Sequence, residues 1–201
     1  LIKKYLEEKY YSSIEHLIKN YIFSKIGANT LSYNPHFNKD INIIVPSEND
    51  NYFRNGILKG FVHDMGAAMQ GGIGGHAGLF GNSLDVAKVM QLYLQQGKYG
   101  NVKFFSSKVF DEFNKCHFCA DNVRRGIGFD KPELEDDSII TCDCVSKNSF
   151  GHSGFTGTYA WADPESQIIY VFLSNRTYPS MENRQLIDNN IRTDIKKIVF
   201  K

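Results

Sequence analysis

Residues Phe150 to Ser174 leave this chain little freedom. Tyr159–Asp163 and Gln167–Ser174 are short apolar runs, and Asp163-Pro164-Glu165-Ser166 stands between them. Proline fixes φ, while Asp and Ser take turn hydrogen bonds, so the runs read as strands joined by a tight turn. Immediately before them comes Phe150-Gly151-His152-Ser153-Gly154-Phe155-Thr156-Gly157-Thr158, with one imidazole, three hydroxyls and three glycines. Glycine inside a strand pattern marks a place where another backbone or a ligand comes close. A His-Ser-Gly strand with that opening beside it forms one wall of a cleft. From composition alone the plainer reading is favoured: Gly154 and Gly157 bend the strand, and His152 is a surface histidine.

The other 176 residues bound the class of molecule. At 201 residues the chain suits one domain with a sizeable core. With 23 Lys+Arg against 22 Asp+Glu, no strong field points to nucleic acid or an anionic membrane. No apolar run approaches bilayer length. Leu1 to Glu8 reads as part of an amphipathic helix rather than a signal peptide, an abrupt start expected of a fragment of something longer. The four cysteines fall as Cys116-His117-Phe118-Cys119 and Cys142-Asp143-Cys144. Zinc is the minority expectation, because the second pair is tighter than a usual structural knuckle; disulfides and free thiols are equally open.

Along the chain, Ser12 and Glu15 have capping-box spacing ahead of an apolar stripe at Ile14, Leu17, Ile18, Tyr21 and Ile22, and Gly27 ends that helix. Ser32–Asp50 is polar, Asn-rich and aperiodic, which predicts a surface excursion. His63-Asp64 has the composition of an acid/base pair, yet adjacent side chains seldom face each other, so a structural role is expected. The run Gly71-Gly72-Ile73-Gly74-Gly75-His76-Ala77-Gly78-Leu79-Phe80 lacks a preceding strand and dinucleotide spacing. Close backbone packing near a cleft explains it better than phosphate binding. Ser83 is expected to cap a helix whose stripe is Val86, Val89, Met90, Tyr93 and Leu94, with Gly97 past its end. A shorter helix near Ser107 turns Val109, Phe110 and Phe113 inward, and Lys131–Asp137 reads as a solvated acidic turn. Finally, Ile187, Ile191, Ile195 and Ile198 predict the buried stripe of a C-terminal helix covering one sheet face.

In order, four of these stretches resemble the C-terminal part of serine β-lactamase-like hydrolases, the broad family of class C β-lactamases, D-Ala-D-Ala carboxypeptidases and related esterases. Tyr21–Thr30 resembles the family's helix end. Gly74–Phe80 leading into Ser83–Ala87 resembles its GHAGLF segment. Phe150–Gly157 resembles its third catalytic motif, a Lys-Thr-Gly triplet that also occurs as His-Ser-Gly. Asp163-Pro164 and Val171–Arg176 resemble the two strands that follow. The run Val45–Asp64 is closest to bacterial envelope proteins of this type, some fused to an N-terminal glycoside hydrolase.

The resemblance implies an α+β fold, an antiparallel sheet with flanking helices, whose N-terminal part is missing. Residues 1–120 would supply the mainly helical, long-looped part, and 121–201 the strands and the C-terminal helix. The implied activity is acyl hydrolysis on a small-molecule or peptidoglycan-type substrate, without a cofactor, in the periplasm or cell envelope. Carried over by motif, the Phe155 amide is an oxyanion donor and Ser153 bonds substrate or leaving group. His152 stands in the family's Lys position, with Gly154, Thr156, His76 and His63 as further candidates for substrate binding. An imidazole replaces a permanent cation there, so carboxylate anchoring should weaken and esterase or peptidase chemistry should outrank lactam hydrolysis. The family's nucleophile is the Ser of Ser-x-x-Lys, assisted by Tyr-x-Asn. No serine in this chain precedes a lysine by three positions, and Tyr99-Gly100-Asn101 comes after segments it should precede. The nucleophile is therefore expected upstream of Leu1. Strands missing there would leave a sheet edge open to self-association. The competing class is a non-catalytic binding or structural module, stabilised by its cysteines or a metal.

Overall fold

The computed structural model describes residues 1–121, 123–132, 142 and 144–201. They group into two units, Leu1–Val86 with Ser174–Arg184, and Ala87–Leu173 with Gln185–Lys201.

In the first unit, helices α1 (Ile2–Tyr10) and α2 (Ile14–Ile18) are separated by Tyr11 in the left-handed region. The cap of α2 is Ser13 rather than Ser12: its Oγ accepts the His16 amide at 3.2 Å. Glu7 Oε1 accepts the amide of Ile14, the first helical residue, at 2.9 Å, and Glu15, expected to complete a capping box, instead accepts the Tyr33 amide at 3.3 Å. A π-helical turn, Lys19–Phe23, continues α2. Its wider winding breaks the predicted stripe, leaving Tyr21 exposed and Phe23 buried. Strand β1 (Ser32–Tyr33), hairpin strands β2 (Pro46–Asp50) and β3 (Gly56–Lys59), helix α3 (Met65–Met69) and strand β4 (Leu79–Phe80) follow. β1 pairs antiparallel with β4, and β2 with β3.

The expected surface excursion at Ser32–Asp50 is only partly one, because Ser47, Glu48 and Asp50 are buried. Each has partners that make burial tolerable. Thr177 donates to the Ser47 carbonyl at 2.6 Å, and the Asn49 amide donates to the Pro179 carbonyl at 2.8 Å. Asp50 accepts the amides of Tyr52, Phe53 and Arg54 at 3.1, 2.8 and 3.1 Å, and Arg54 Nε at 2.9 Å. Burial works against its ionisation, but those bonds, Arg54's first, outweigh it and hold its pKa at about 2. Arg54 then reaches the carbonyls of Val62 and His63. Helix α4 (Ser83–Leu94) is capped by Asn82 rather than Ser83: Asn82 Oδ1 accepts the Asp85 amide at 2.9 Å. Asp85 is buried and accepts both the amide and the hydroxyl of Thr30 at 2.7 Å.

The second unit holds the ribbon β5 (Lys98–Tyr99) and β6 (Val102–Lys103), helix α5 (Ser107–Asn114), strands β7 (Phe150–Ser153), β8 (Tyr159–Asp163) and β9 (Ile168–Phe172), and helices α6 (Gln185–Asp188) and α7 (Ile191–Val199). The three strands form one antiparallel sheet in the order β7-β8-β9. One face packs Phe150 and Ala162 against Met90, Leu94 and Phe110. The Phe150 and Phe110 rings meet edge-on, 5.3 Å between centroids. Of the residues expected to turn inward on α5, only Phe110 does; Val109 and Phe113 are exposed. On the other face Tyr159, Trp161 and Tyr170 pack with Val145, Phe172 and Phe200.

Helix α7 covers that second face with the side opposite to the predicted one. Thr193 and Lys196 are buried, whereas Ile191, Ile195 and Ile198 are 39, 36 and 74% exposed. Ile187, 37% exposed, lies on the separate α6, because Asn190 in the left-handed region breaks the single helix that was expected. Lys196 Nζ donates to the Tyr159 hydroxyl at 3.0 Å and stands 4.0 Å from the Trp161 ring centroid. Cation–π attraction and a long aliphatic stem make a lysine an acceptable packing residue there. The predicted turn between β8 and β9 is present, with Asp163 Oδ1 accepting the Glu165 amide at 2.9 Å. Lys131, expected in a solvated turn, is buried. Its ammonium donates to Asn114 Oδ1 and to the carbonyls of Asn148 and Ser149, at 3.0, 3.1 and 2.8 Å. Burial pushes its pKa down to about 8. The rest of that turn, from residue 133, lies outside the described residues.

Candidate active site

His152 and Ser153 close strand β7, and Gly154 to Thr158 form the hairpin loop that turns into β8. The loop is fixed by local bonds: the Gly154 amide donates to the Thr158 carbonyl at 2.7 Å, and the Gly157 amide to the Gly154 carbonyl at 3.0 Å. Gly157 takes φ +97°, which a side chain would strain. Phe155 at the tip is 61% exposed. His152 is also exposed, and its Nδ1 donates to the Ser153 carbonyl at 2.7 Å. Since a carbonyl only accepts, that bond places a proton on Nδ1.

Three groups that sequence reasoning missed hold this hairpin. The Asp130 amide donates to the Gly151 carbonyl at 2.8 Å, and the Gly151 amide returns a bond of 3.2 Å, so the outer edge of β7 is paired there. Lys131 bonds the two carbonyls just before β7. Arg192 donates from Nη1 to the carbonyls of Gly157 and Thr158 at 3.3 and 3.2 Å. Only the last had a signal: Arg192 and Lys196 are spaced i,i+4, one cationic row opposite the isoleucines. Gly151 cannot carry a side chain, since a Cβ would lie 2.2 Å from the Ala160 carbonyl oxygen and 2.4 Å from Trp161.

His63 and His76 belong to the first unit, and the hydrogen-bond-distance partners of His63 and Asp64 lie elsewhere than on each other's side chains: Glu48 for His63, Ala67 and His76 for Asp64. His63 Nε2 lies 3.0 Å from Glu48 Oε2, and Glu48 also accepts the Tyr52 hydroxyl at 2.8 Å and the Met181 amide at 3.2 Å. Asp64 caps α3 through the Ala67 amide at 2.7 Å and pairs with His76 Nε2 at 2.9 Å. The Ala67 bond first, then His76, holds the Asp64 carboxyl below its usual range. Adjacent residues thus serve two different histidine–carboxylate contacts. The glycine run packs backbone on backbone: a Cβ on Gly78 would lie 2.3 Å from the Gly72 carbonyl oxygen. The cysteines are joined as Cys116–Cys119 and Cys142–Cys144. A disulfide sulfur has no thiolate charge to offer zinc, and among the described residues no cluster of three His, Cys, Asp or Glu is placed to hold a metal.

A family profile described as beta-lactamase matches residues 6–193. The chain belongs to the beta-lactamase family. A candidate D-alanyl-D-alanine carboxypeptidase from Salmonella agona is 34% identical over 140 residues, which are 68% of this beta-lactamase-family chain and 31% of that protein. The match thus spans under a third of that relative's length. Among solved structures, unliganded simvastatin synthase from Aspergillus terreus gives a TM-score of 0.63 at 13% identity, covering 98% of this chain and 51% of its own. A beta-lactamase from Mycobacterium bovis gives 0.54 at 14% identity, covering 94% and 61%. At such identities the likeness is one of fold, and it agrees with the α+β beta-lactamase-like architecture expected. Among the described residues no helix is long and apolar enough to cross a membrane.

Proposed function

We propose that this chain carries the third-motif wall of a serine acyl-hydrolase site acting on a peptidoglycan-type or small acyl substrate in the bacterial envelope. The observation that carries the reading is the hairpin Phe150–Asp163, in which a His-Ser-Gly strand end opens into an exposed, hydrogen-bonded loop. In this reading the Phe155 amide stabilises the oxyanion formed when an acyl carbon is attacked, while Ser153 bonds the substrate or leaving group. Gly154 and Thr156 line the same approach, and His152 stands where the Lys of a Lys-Thr-Gly triplet would present a cation. The match to a D-alanyl-D-alanine carboxypeptidase name supports the substrate class.

The attacking hydroxyl has to come from a Ser-x-x-Lys element, and none of these residues forms one. A fluorescent penicillin or a fluorophosphonate is therefore expected to leave this 201-residue chain unlabelled and to label a polypeptide in which Ser-x-x-Lys and Tyr-x-Asn precede it. Covalent labelling of the chain alone overturns the reading. In the longer polypeptide, Ser153→Ala should lower kcat/KM about 100-fold on esters or D-Ala-D-Ala peptides. Rapid nitrocefin turnover would refute the preference for ester or peptide chemistry over lactams. Absence of both upstream motifs would favour the non-catalytic module.

Strand β9 ends the sheet among the described residues, and Ile168–Phe172 carries no charge and no proline to discourage pairing. We therefore also propose self-association through this edge. Light scattering that finds only monomer at high concentration refutes it.

A further inference from the structure

Two disulfides in a beta-lactamase-family chain ask for a purpose, and their spacing argues against a tethering one. Cys116 and Cys119 are three residues apart, with 5.6 Å between Cα atoms. A bridge stabilises chiefly by closing a loop in the unfolded chain, and so short a loop returns least. Cys116–Cys119 joins nothing that one turn of backbone does not already hold together. Both residues are half-buried, whereas the second bridge has one buried partner, Cys142 at 4% exposed, and one half-buried, Cys144. Lys115 is exposed beside Cys116, and the His117 ring lies between the two sulfurs in sequence, donating from Nε2 to the Glu112 carbonyl at 2.8 Å.

The bridge also stands at the head of a chain segment that ends on the candidate site. The Val123 amide donates to the Phe118 carbonyl at 3.1 Å, folding the segment back across the bridge. Arg125 Nε then pairs with Asp130 Oδ1 at 3.1 Å, and Asp130 exchanges two backbone bonds with Gly151 of β7. Gly151 immediately precedes His152 and Ser153.

We propose that Cys116–Cys119 is a thiol–disulfide exchange site whose reduction loosens the segment held against β7. The co-reactant is a dithiol. Its thiolate attacks one cysteine sulfur, the Cys116–Cys119 bond breaks, and a mixed disulfide forms while the other cysteine leaves as thiolate and takes up a proton. The second thiol of the reagent, losing its proton, attacks the reagent sulfur in the mixed disulfide and frees the remaining cysteine, which is protonated in turn. Two electrons pass from the dithiol to the protein, and the dithiol becomes a disulfide. This site is independent of the acyl-hydrolase reading, because it needs no nucleophilic serine and its test measures no hydrolysis.

The test uses the whole chain under native conditions. It is treated with dithiothreitol, alkylated with iodoacetamide and mapped by mass spectrometry, while hydrogen exchange reads the Gly151 amide. Alkylation of Cys116 and Cys119 at least tenfold sooner than of Cys142 and Cys144, with several-fold faster exchange at Gly151 and unchanged circular dichroism, is the expected result. A double variant, Cys116→Ser with Cys119→Ser, should show the faster Gly151 exchange without any reductant. The proposal is overturned if the Cys116–Cys119 pair is reduced no sooner than the other pair. It is equally overturned if reduction, or the double variant, leaves Gly151 exchange as in the oxidised protein.

Discussion

Adjacent residues on α7 offer a decisive test of how the C-terminal helix is seated. Glutamate introduced at Ile195 and, separately, at Lys196 puts the same carboxylate on two neighbouring positions about 100° apart around one turn, one exposed and one buried. Ile195 is 36% exposed in a row of isoleucines that face away from the sheet, so Ile195→Glu removes only part of an apolar contact, about 1 kcal/mol. Lys196 is fully buried, 4.0 Å from the Trp161 centroid and 3.0 Å from the Tyr159 hydroxyl. Lys196→Glu loses a desolvated cation–π contact worth about 2 kcal/mol and a charge-assisted hydrogen bond worth about 2 kcal/mol. It also leaves a carboxylate against an electron-rich ring face. Arg192 is no ready rescuer, since its guanidinium is bonded to the carbonyls of Gly157 and Thr158. A cost of about 3–5 kcal/mol is expected for an unpaired buried charge. The difference between the two variants is then about 2–4 kcal/mol, and for a chain of this size each kcal/mol moves a melting midpoint by about 2–4 °C. Trp161, the one tryptophan, lies under Lys196 and reports unfolding of this unit by fluorescence. If Ile195→Glu is the more damaging variant, the isoleucine stripe is the packed face and the seating described here is wrong.

Further perturbations follow from the buried polar groups. Asp50→Asn removes the anion that four donors share and should destabilise the first unit, because Arg54 loses its counter-charge. The carboxyl's folded pKa, about 2, lies below the usual 3.8, so its stabilisation is complete above pH 4 and lost as pH falls through about 2. Urea midpoints between pH 5 and pH 2 should fall more steeply for the native chain than for Asp50→Asn, and equal slopes would refute the assignment. For Lys131 the sign is opposite to that of a stabilised cation. A folded pKa of about 8 against 10.5 means the unfolded chain binds more protons between those values, so stability rises with pH across that window. The native chain should gain on Lys131→Met from pH 8 to pH 10, and a flat difference would count against a buried ammonium. Gly151→Ala forces a Cβ to 2.2 Å from the Ala160 carbonyl oxygen, so the strands must part. A loss of about 2 kcal/mol or more, read from Trp161 fluorescence, is expected.

How far the residues announced this molecule depends on whether a signal was local. The β8–β9 turn was legible because Asp163, Pro164 and Ser166 act within their own turn. The motif order from Tyr21 to Arg176 was legible for the same reason, each stretch being contiguous. Helix caps were misplaced by one residue at Ser13 and Asn82, because the competing donors and acceptors, Glu7 and Glu15 among them, are set by tertiary contacts. The α7 face was inverted because apolar periodicity assumes that the apolar row is the buried one. Lys196 shows a cation buried instead where two aromatic faces receive it. Ser47 and Glu48 looked solvated because partners of theirs lie 130 and 133 residues away, Thr177 for the Ser47 carbonyl and the Met181 amide for Glu48. Nothing within ten residues of Gly151 signalled its pairing with Asp130.

The same non-local contacts restrain the candidate motif in the way a catalytic wall would require. A strand end that presents an oxyanion donor must keep its position while charge develops, since preorganised donors lose their advantage if they move to meet it. β7 is restrained along both edges, by β8 and by Asp130, and at its entry by Lys131. The loop beyond it is held from behind by Arg192. None of these four restraints supplies a reacting atom, yet each limits a different displacement of Ser153 and Phe155. If the acyl-hydrolase reading holds, Arg192→Gln in an active, longer polypeptide should lower kcat while leaving KM nearly unchanged, because it frees the loop without touching substrate. A change confined to KM would place Arg192 in substrate binding and not in support of the loop.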